Sequence, residues 1–218
     1  MFIGHFGAGL AAKKIDSQPS LGTYFLAAQF IDLLWPLFLL LGLETVKIDP
    51  GNTAFTPLDF EYYPFSHSFV AVSIYGMIFS AVYFLLRKNL RASIILGILV
   101  LSHWILDLIT HRPDLPLGFG NSVKFGLGLW NSVLFSILLE SLIFIAGVYL
   151  YFRATNAKDK KGSMGIWSLI IFLSLIYILN LFGPPPPSAE PIAYIGLSQW
   201  IIIAWAYWID KNRAAVTQ

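Results

Sequence analysis

Long apolar runs separated by short polar stretches dominate the chain. Six of them, Leu21 to Leu43, Ser66 to Leu86, Arg91 to Ile109, Leu127 to Tyr151, Ile166 to Phe182 and Ile192 to Ile209, match the roughly 20 residues a helix needs to cross ~30 Å of hydrocarbon. A bilayer core offers no water to an open backbone, so runs of this length are read as helices. Ahead of them, residues 1–12 are apolar but too short to span. They read as a half-inserted or interfacial segment, with Lys13 and Lys14 at the headgroups and His5 about 12 Å deeper if the segment is helical. The predicted fold is all-α: a polytopic membrane protein of about six transmembrane helices plus a short apolar N-terminal half-helix, one integral membrane domain over 1–218.

Composition agrees with this pattern. The chain is 57% hydrophobic and 12% charged, about half the charge of an ordinary soluble protein. Its basic residues are unevenly placed. Lys13, Lys14, Arg87, Lys88, Arg91, Arg153, Lys158, Lys160, Lys161, Lys211 and Arg213 fall on one side of the predicted spans, leaving Lys47, Arg112 and Lys124 on the other. The positive-inside rule makes the first side cytoplasmic and puts both termini there. No cysteine is present, which excludes disulfides, thiolate metal sites and a cysteine nucleophile. The lysines follow the N-terminal apolar run, the reverse of a secretory signal. The expected partner is the bilayer; no nucleic acid is expected.

Against this background the polar residues inside the spans stand out. Asp32 sits at the centre of the first span, and Pro36 should free the carbonyl of Asp32 and kink the helix there. The loop from Glu44 to Phe65 is long and aromatic, as a lid over an outward-facing site would be. His67 opens the second span, with Ser66 as the expected N-cap. On the third span His103 and Asp107 are four apart and share a helix face, about 18 Å and 24 Å from its cytoplasmic end. His111 and Asp114 follow at the outer surface, next to Pro113 and Pro116, where a solvated helix end competes with a role in the site. Glu140 lies at mid-depth in the fourth span, as a ligand, a partner to a histidine or a proton acceptor. Residues 127–218 read otherwise as scaffold, and residues 1–126 as the part bearing the site, with Pro184 to Pro187 a stiff link between the last two spans.

Intramembrane carboxylates need compensation. Asp32, Asp107 and Glu140 would together cost roughly 7 to 10 kcal/mol if unpaired. A bound cation supplies it, and imidazole with carboxylate but no thiolate suits Zn²⁺, Mn²⁺ or Fe²⁺ better than Ca²⁺ or Mg²⁺. The expected metal ligands are His5, Asp32, His67, His103 and Asp107. Glu140, Asp114 and His111 are the candidates for catalytic roles.

Gly4-His5, the mid-span Asp32, His67-Ser68, and Ser102-His103 followed by Leu106-Asp107 resemble the pattern of the YdjM-like family, described as LexA-binding, inner-membrane-bound metal-dependent hydrolases. The resemblance covers about residues 1–120, and the chain departs from the pattern at residues 110–116 and after residue 150. More distantly the residues resemble the His and Asp ligands of zinc-dependent phospholipase C. The resemblance implies a multi-pass bacterial protein of the inner (plasma) membrane with a His/Asp metal site, zinc the first choice, and hydrolytic activity. The leading expectation is a metal-dependent membrane hydrolase whose site opens to the non-cytoplasmic side and acts on a lipid or phosphoester. Two others stand beside it. One is a small transporter or permease using the same buried groups for proton or cation binding. The other is a structural membrane protein whose polar residues merely join helices.

Overall fold

The structure, a computed structural model, describes residues 1–216 and is 68% helical. In chain order it places helices α1 (Ile3–Ile15), α2 (Leu21–Ala28) and α3 (Phe30–Leu40), then strands β1 (Thr45–Ile48) and β2 (Leu58–Tyr62). Next come α4 (Pro64–His67), α5 (Phe69–Arg87) and α6 (Leu90–Thr110), with strands β3 (Leu115–Pro116) and β4 (Lys124–Phe125) behind them. After these follow α7 (Val133–Ala154), strand β5 (Thr155–Ala157), α8 (Lys160–Phe182), α9 (Ala189–Leu197), α10 (Gln199–Lys211) and strand β6 (Arg213–Ala215).

Among the described residues, five helical segments are long and apolar enough to cross a membrane, α9 and α10 together forming one, and the bent pair α2 and α3 makes a sixth if it counts as one span. Their outward faces carry Met77, Leu86, Ile98, Leu142, Ile145 and Ile171, all well exposed. An apolar belt of that extent belongs in lipid, and the protein is a multi-pass membrane protein. Three small antiparallel ribbons, β1 with β2, β3 with β4 and β5 with β6, tie off the ends of the helices. These are the departures from an all-α fold.

The N-terminal segment forms the expected short helix, too short to span, but it is buried inside the bundle and His5 is not solvated. α1 is 13 residues long and buried along most of its length, including His5, Phe6, Gly7 and Leu10. It lies against α7 at very short range: a Cβ on Gly7 would stand 2.7 Å from the Ile143 carbonyl oxygen, and one on Gly147 would stand 2.2 Å from that of Gly7. Only glycine allows this approach, which small-residue helix interfaces in membranes exploit. Lys13, expected at the headgroups, is buried as well, with Nζ 3.0 Å from Asp210 Oδ2 and donating to the Pro19 carbonyl at 2.8 Å.

The first span also differs from expectation. It bends by 54° between α2 and α3, at Gln29, whereas α3 continues through Pro36. The predicted kink at Asp32 is therefore one turn earlier. The next span is divided too: α4 is a single turn with Pro64 at its start, and Ser68, not Ser66, caps α5 by accepting from the Ala71 N–H at 3.1 Å.

The basic segments gather at one end of the bundle. Gln18 accepts a hydrogen bond from Asn89, Arg91 donates to the Ile15 carbonyl, and Arg213 in β6 donates to Thr155 and Gly162. The hairpin formed by β1 and β2 lies at the other end. Its Phe60 packs on Trp35, and Phe55 stacks parallel to Trp130. The long loop between α3 and α4 is thus a folded cover.

Candidate metal centre

At the centre of the bundle, α6 carries His103 and Asp107 one turn apart, and both are buried. The i, i+4 spacing sets His103 Nε2 3.2 Å from Asp107 Oδ2. The broken first span delivers Asp32, which lies in the first turn of α3, where the helix dipole favours a carboxylate. Its Oδ2 is 3.5 Å from His103 Nε2, and its Oδ1 is 3.3 Å from His67 Nε2. α1 brings His5, whose ring stacks on that of His103 with centroids 3.4 Å apart. His5 Nε2 is 3.0 Å from Asp107 Oδ1, which the Met1 amine also reaches at 2.5 Å. The five residues expected from the sequence as metal ligands therefore meet in one cluster. Two triads within it, His5 with His103 and Asp107, and Asp32 with His67 and His103, have donor atoms close enough together to share an ion.

The surroundings decide which ring nitrogens face that cluster. Ala28 is the last residue before the bend; in an unbroken helix its carbonyl would accept from the Asp32 N–H. Here it accepts from His103 Nδ1 at 2.7 Å, so the bend and the histidine's orientation are one arrangement. A carbonyl can only accept, so Nδ1 carries the proton and Nε2 turns to the carboxylates. His67 is fixed in the same sense. Ser66 Oγ donates its one proton to Glu44 Oε2 at 2.6 Å and so accepts from His67 Nδ1 at 2.7 Å. Glu44 is buried and also accepts the Ser66 N–H at 2.7 Å. Burial pushes its carboxyl above the usual range, and the Ser66 hydrogen bonds oppose that shift.

Two imidazole Nε2 atoms thus converge on two carboxylates with their Nδ1 protons already committed. Among the described residues, His103 Nε2 is buried without a hydrogen-bond partner. Lone pairs held this close to carboxylate oxygens repel unless a proton or a cation stands between them. The donors are imidazole and carboxylate only, the set that suits Zn²⁺, Mn²⁺ or Fe²⁺. The residues present therefore fit a divalent ion of that kind.

The three candidates for catalytic roles lie elsewhere. Glu140 on α7 is fully buried and turns to α1, where Oε2 accepts the N–H groups of Phe2 at 2.7 Å and Gly4 at 3.4 Å. It satisfies the open N-terminus of the helix that carries His5. His111 and Asp114 are also buried, not solvated. His111 Nδ1 donates to Asp114 Oδ1 at 2.9 Å, and Tyr63 donates to the same oxygen at 3.1 Å. Burial, and then the adjacent Asp114, hold the Tyr63 phenol well above its usual pKa, which keeps it a donor. Arg112 joins Asp114 to Asp59 on β2, tying this outer network to the cover. Tyr63 stands between the two clusters, its ring 5.2 Å from that of His67 and 6.1 Å from that of His111.

Sequence reasoning missed Glu44, Ser66 and the Ala28 carbonyl. In the sequence Ser66 reads only as a cap, and nothing in a lone glutamate after the first span points across a 22-residue gap to it. No family model, curated protein or solved structure matches the chain.

Proposed function

We propose that the protein is a membrane-bound, metal-dependent hydrolase, of the kind the YdjM-like resemblance implies. The observation that carries the proposal is the convergence of His67 Nε2 and His103 Nε2 on Asp32 and Asp107 with both Nδ1 protons directed away. Asp32, His67, His103 and Asp107 would hold the ion, with His5 against the far oxygen of Asp107. A bound zinc ion supplies Lewis acidity and lowers the pKa of a coordinated water towards 7.

The chain's own residues would do the rest. Asp32 is the most exposed member of the cluster, with a side chain 22% accessible, so it marks the approach by which substrate reaches the others. His5 and Asp107, almost wholly enclosed, keep water from the inner side. The cover hairpin, with Phe60, Tyr63 and Trp130, forms the outer wall, and the network of His111, Asp114 and Arg112 holds that wall in place. Glu140 holds α1, and with it His5. The topology that suits this reading has both termini in the cytoplasm and the cover on the opposite face of a cell membrane. Substrates would then be amphiphiles of the outer leaflet with a hydrolysable ester, lipid phosphoesters first among them.

The test is release of headgroup from mixed micelles of phospholipids by the purified protein. Zinc-dependent release that a chelator abolishes and that Asp107→Ala lacks is the expected result. Flux of protons or cations across proteoliposomes, without hydrolysis, would assign the cluster to transport.

A further inference from the structure

We infer that Glu44 and Ser66 are positioning residues that make the outer cover part of the metal centre, an inference that rests on the metal-binding reading above. The chain of contacts is short and closed. Glu44 immediately precedes β1, the first strand of the cover, and its carboxylate takes both protons that Ser66 offers, the N–H and the Oγ–H. With Glu44 ionised, Ser66 is left with lone pairs only, and His67 Nδ1 donates to it. His67 Nε2 then faces Asp32 as a lone pair. Each link determines the next, from the base of the hairpin to a candidate ligand.

The two histidines are held differently. His103 leans on a main-chain carbonyl inside a bent helix, a partner that moves only if the helix does. His67 leans on a side chain whose orientation depends on the cover. Glu44, Ser66 and His67 are all buried, so no water is at hand to replace a lost partner. Lifting the hairpin would withdraw Glu44, free the Ser66 hydroxyl to turn its proton towards His67, and reverse the tautomer that ligation needs. Hydrogen-bond partners of this type typically carry 10- to 100-fold of metal affinity. Coupling of this kind is reciprocal: if closure of the cover strengthens zinc binding, zinc must tighten the cover by the same factor.

The experiment uses the full chain in detergent micelles, with zinc alone as probe. Zinc affinity is measured by competition with a chromogenic chelator for the wild type, Ser66→Ala, Ser66→Thr and Glu44→Gln. Amide hydrogen exchange of residues 44–48 is followed with and without zinc. Expected are a 10- to 100-fold weaker affinity in Ser66→Ala and Glu44→Gln, recovery in Ser66→Thr, and zinc-dependent protection of the hairpin in the wild type. Wild-type affinity in the folded Ser66→Ala and Glu44→Gln variants, or exchange in the wild-type hairpin that zinc leaves unchanged, overturns the inference while the metal centre stands. Absence of zinc binding in the wild type overturns both. The exchange measurement needs no variant, so a substitution that fails to fold does not remove the test.

Discussion

His103 donates its Nδ1 proton to the carbonyl oxygen of Ala28, 2.7 Å away across the bend in the first span. A structural irregularity in one helix and the orientation of a side chain in another are therefore the same feature. The break costs α2 and α3 a helical hydrogen bond, and the histidine supplies its replacement. What results is an imidazole whose Nε2 faces Asp32 and Asp107 inside a membrane protein, where an uncompensated carboxylate costs about 2.5 to 3.5 kcal/mol on insertion scales.

The close crossing of α1 and α7 should be intolerant of any side chain. Gly147→Val places atoms within the van der Waals envelope of the Gly7 carbonyl and must push α1 away. Overpacking of this kind costs about 1 to 3 kcal/mol or more. Thermal unfolding in detergent should show a lowered midpoint, and because α1 carries His5, zinc affinity should fall with it. A variant with the wild-type midpoint would show that the two helices do not meet this closely.

Glu140 offers a clean separation of a catalytic base from an anchor. Its carboxylate accepts the Phe2 and Gly4 N–H groups, and a glutamine oxygen can accept the same donors. Glu140→Gln should keep stability and activity near those of the wild type, whereas Glu140→Ala should lose about 1 to 3 kcal/mol by leaving buried donors open. Full stability with activity abolished in Glu140→Gln would instead make Glu140 the proton acceptor.

The outer network should affect stability without loss of metal. His111 and Asp114 bond to one another and to Tyr63, not to the central cluster. Asp114→Ala removes the acceptor that Tyr63, His111 and Arg112 share and should destabilise the fold by about 1 to 3 kcal/mol. Elemental analysis should find undiminished zinc in Asp114→Ala and His111→Ala. Metal loss in either would move these residues into the centre.

Topology can be read from a chain without cysteines by adding one at a time. Asn121→Cys, exposed at the end that carries the cover, should react with an impermeant maleimide added to intact cells. Lys161→Cys, exposed among the basic residues at the opposite end, should react only after the membrane is opened. The reverse pattern would put the site on the cytoplasmic side.

Much of the helical framework was legible because a bilayer permits few alternatives: an apolar run of sufficient length has to satisfy its backbone internally. The cluster of five was legible for a related reason, since histidines and aspartates in such runs are costly enough to demand company. The features that escaped are those decided by contact. Length leaves residues 1–12 half-inserted or interfacial, and only the contact of Gly7 with α7 shows that α1 lies in the core. Pro36 drew the expected kink to Asp32, but the bend fell at Gln29, where His103 offers the Ala28 carbonyl a new donor. His111 and Asp114 could be read either as a solvated helix end or as part of the site, because their cover, a hairpin carrying Phe60, comes from a distant loop. Glu44 and Ser66 depend on the folding of that same loop, and no local pattern reports it.

Metal content tests the central claim most directly. Wild-type protein purified without chelator, then exchanged into buffer containing zinc and washed, should retain zinc in fixed proportion to protein by elemental analysis. His103→Ala and Asp107→Ala, each shown to be folded by circular dichroism, should retain little or none. Zinc absent from the wild type, or present undiminished in both variants, would contradict the account.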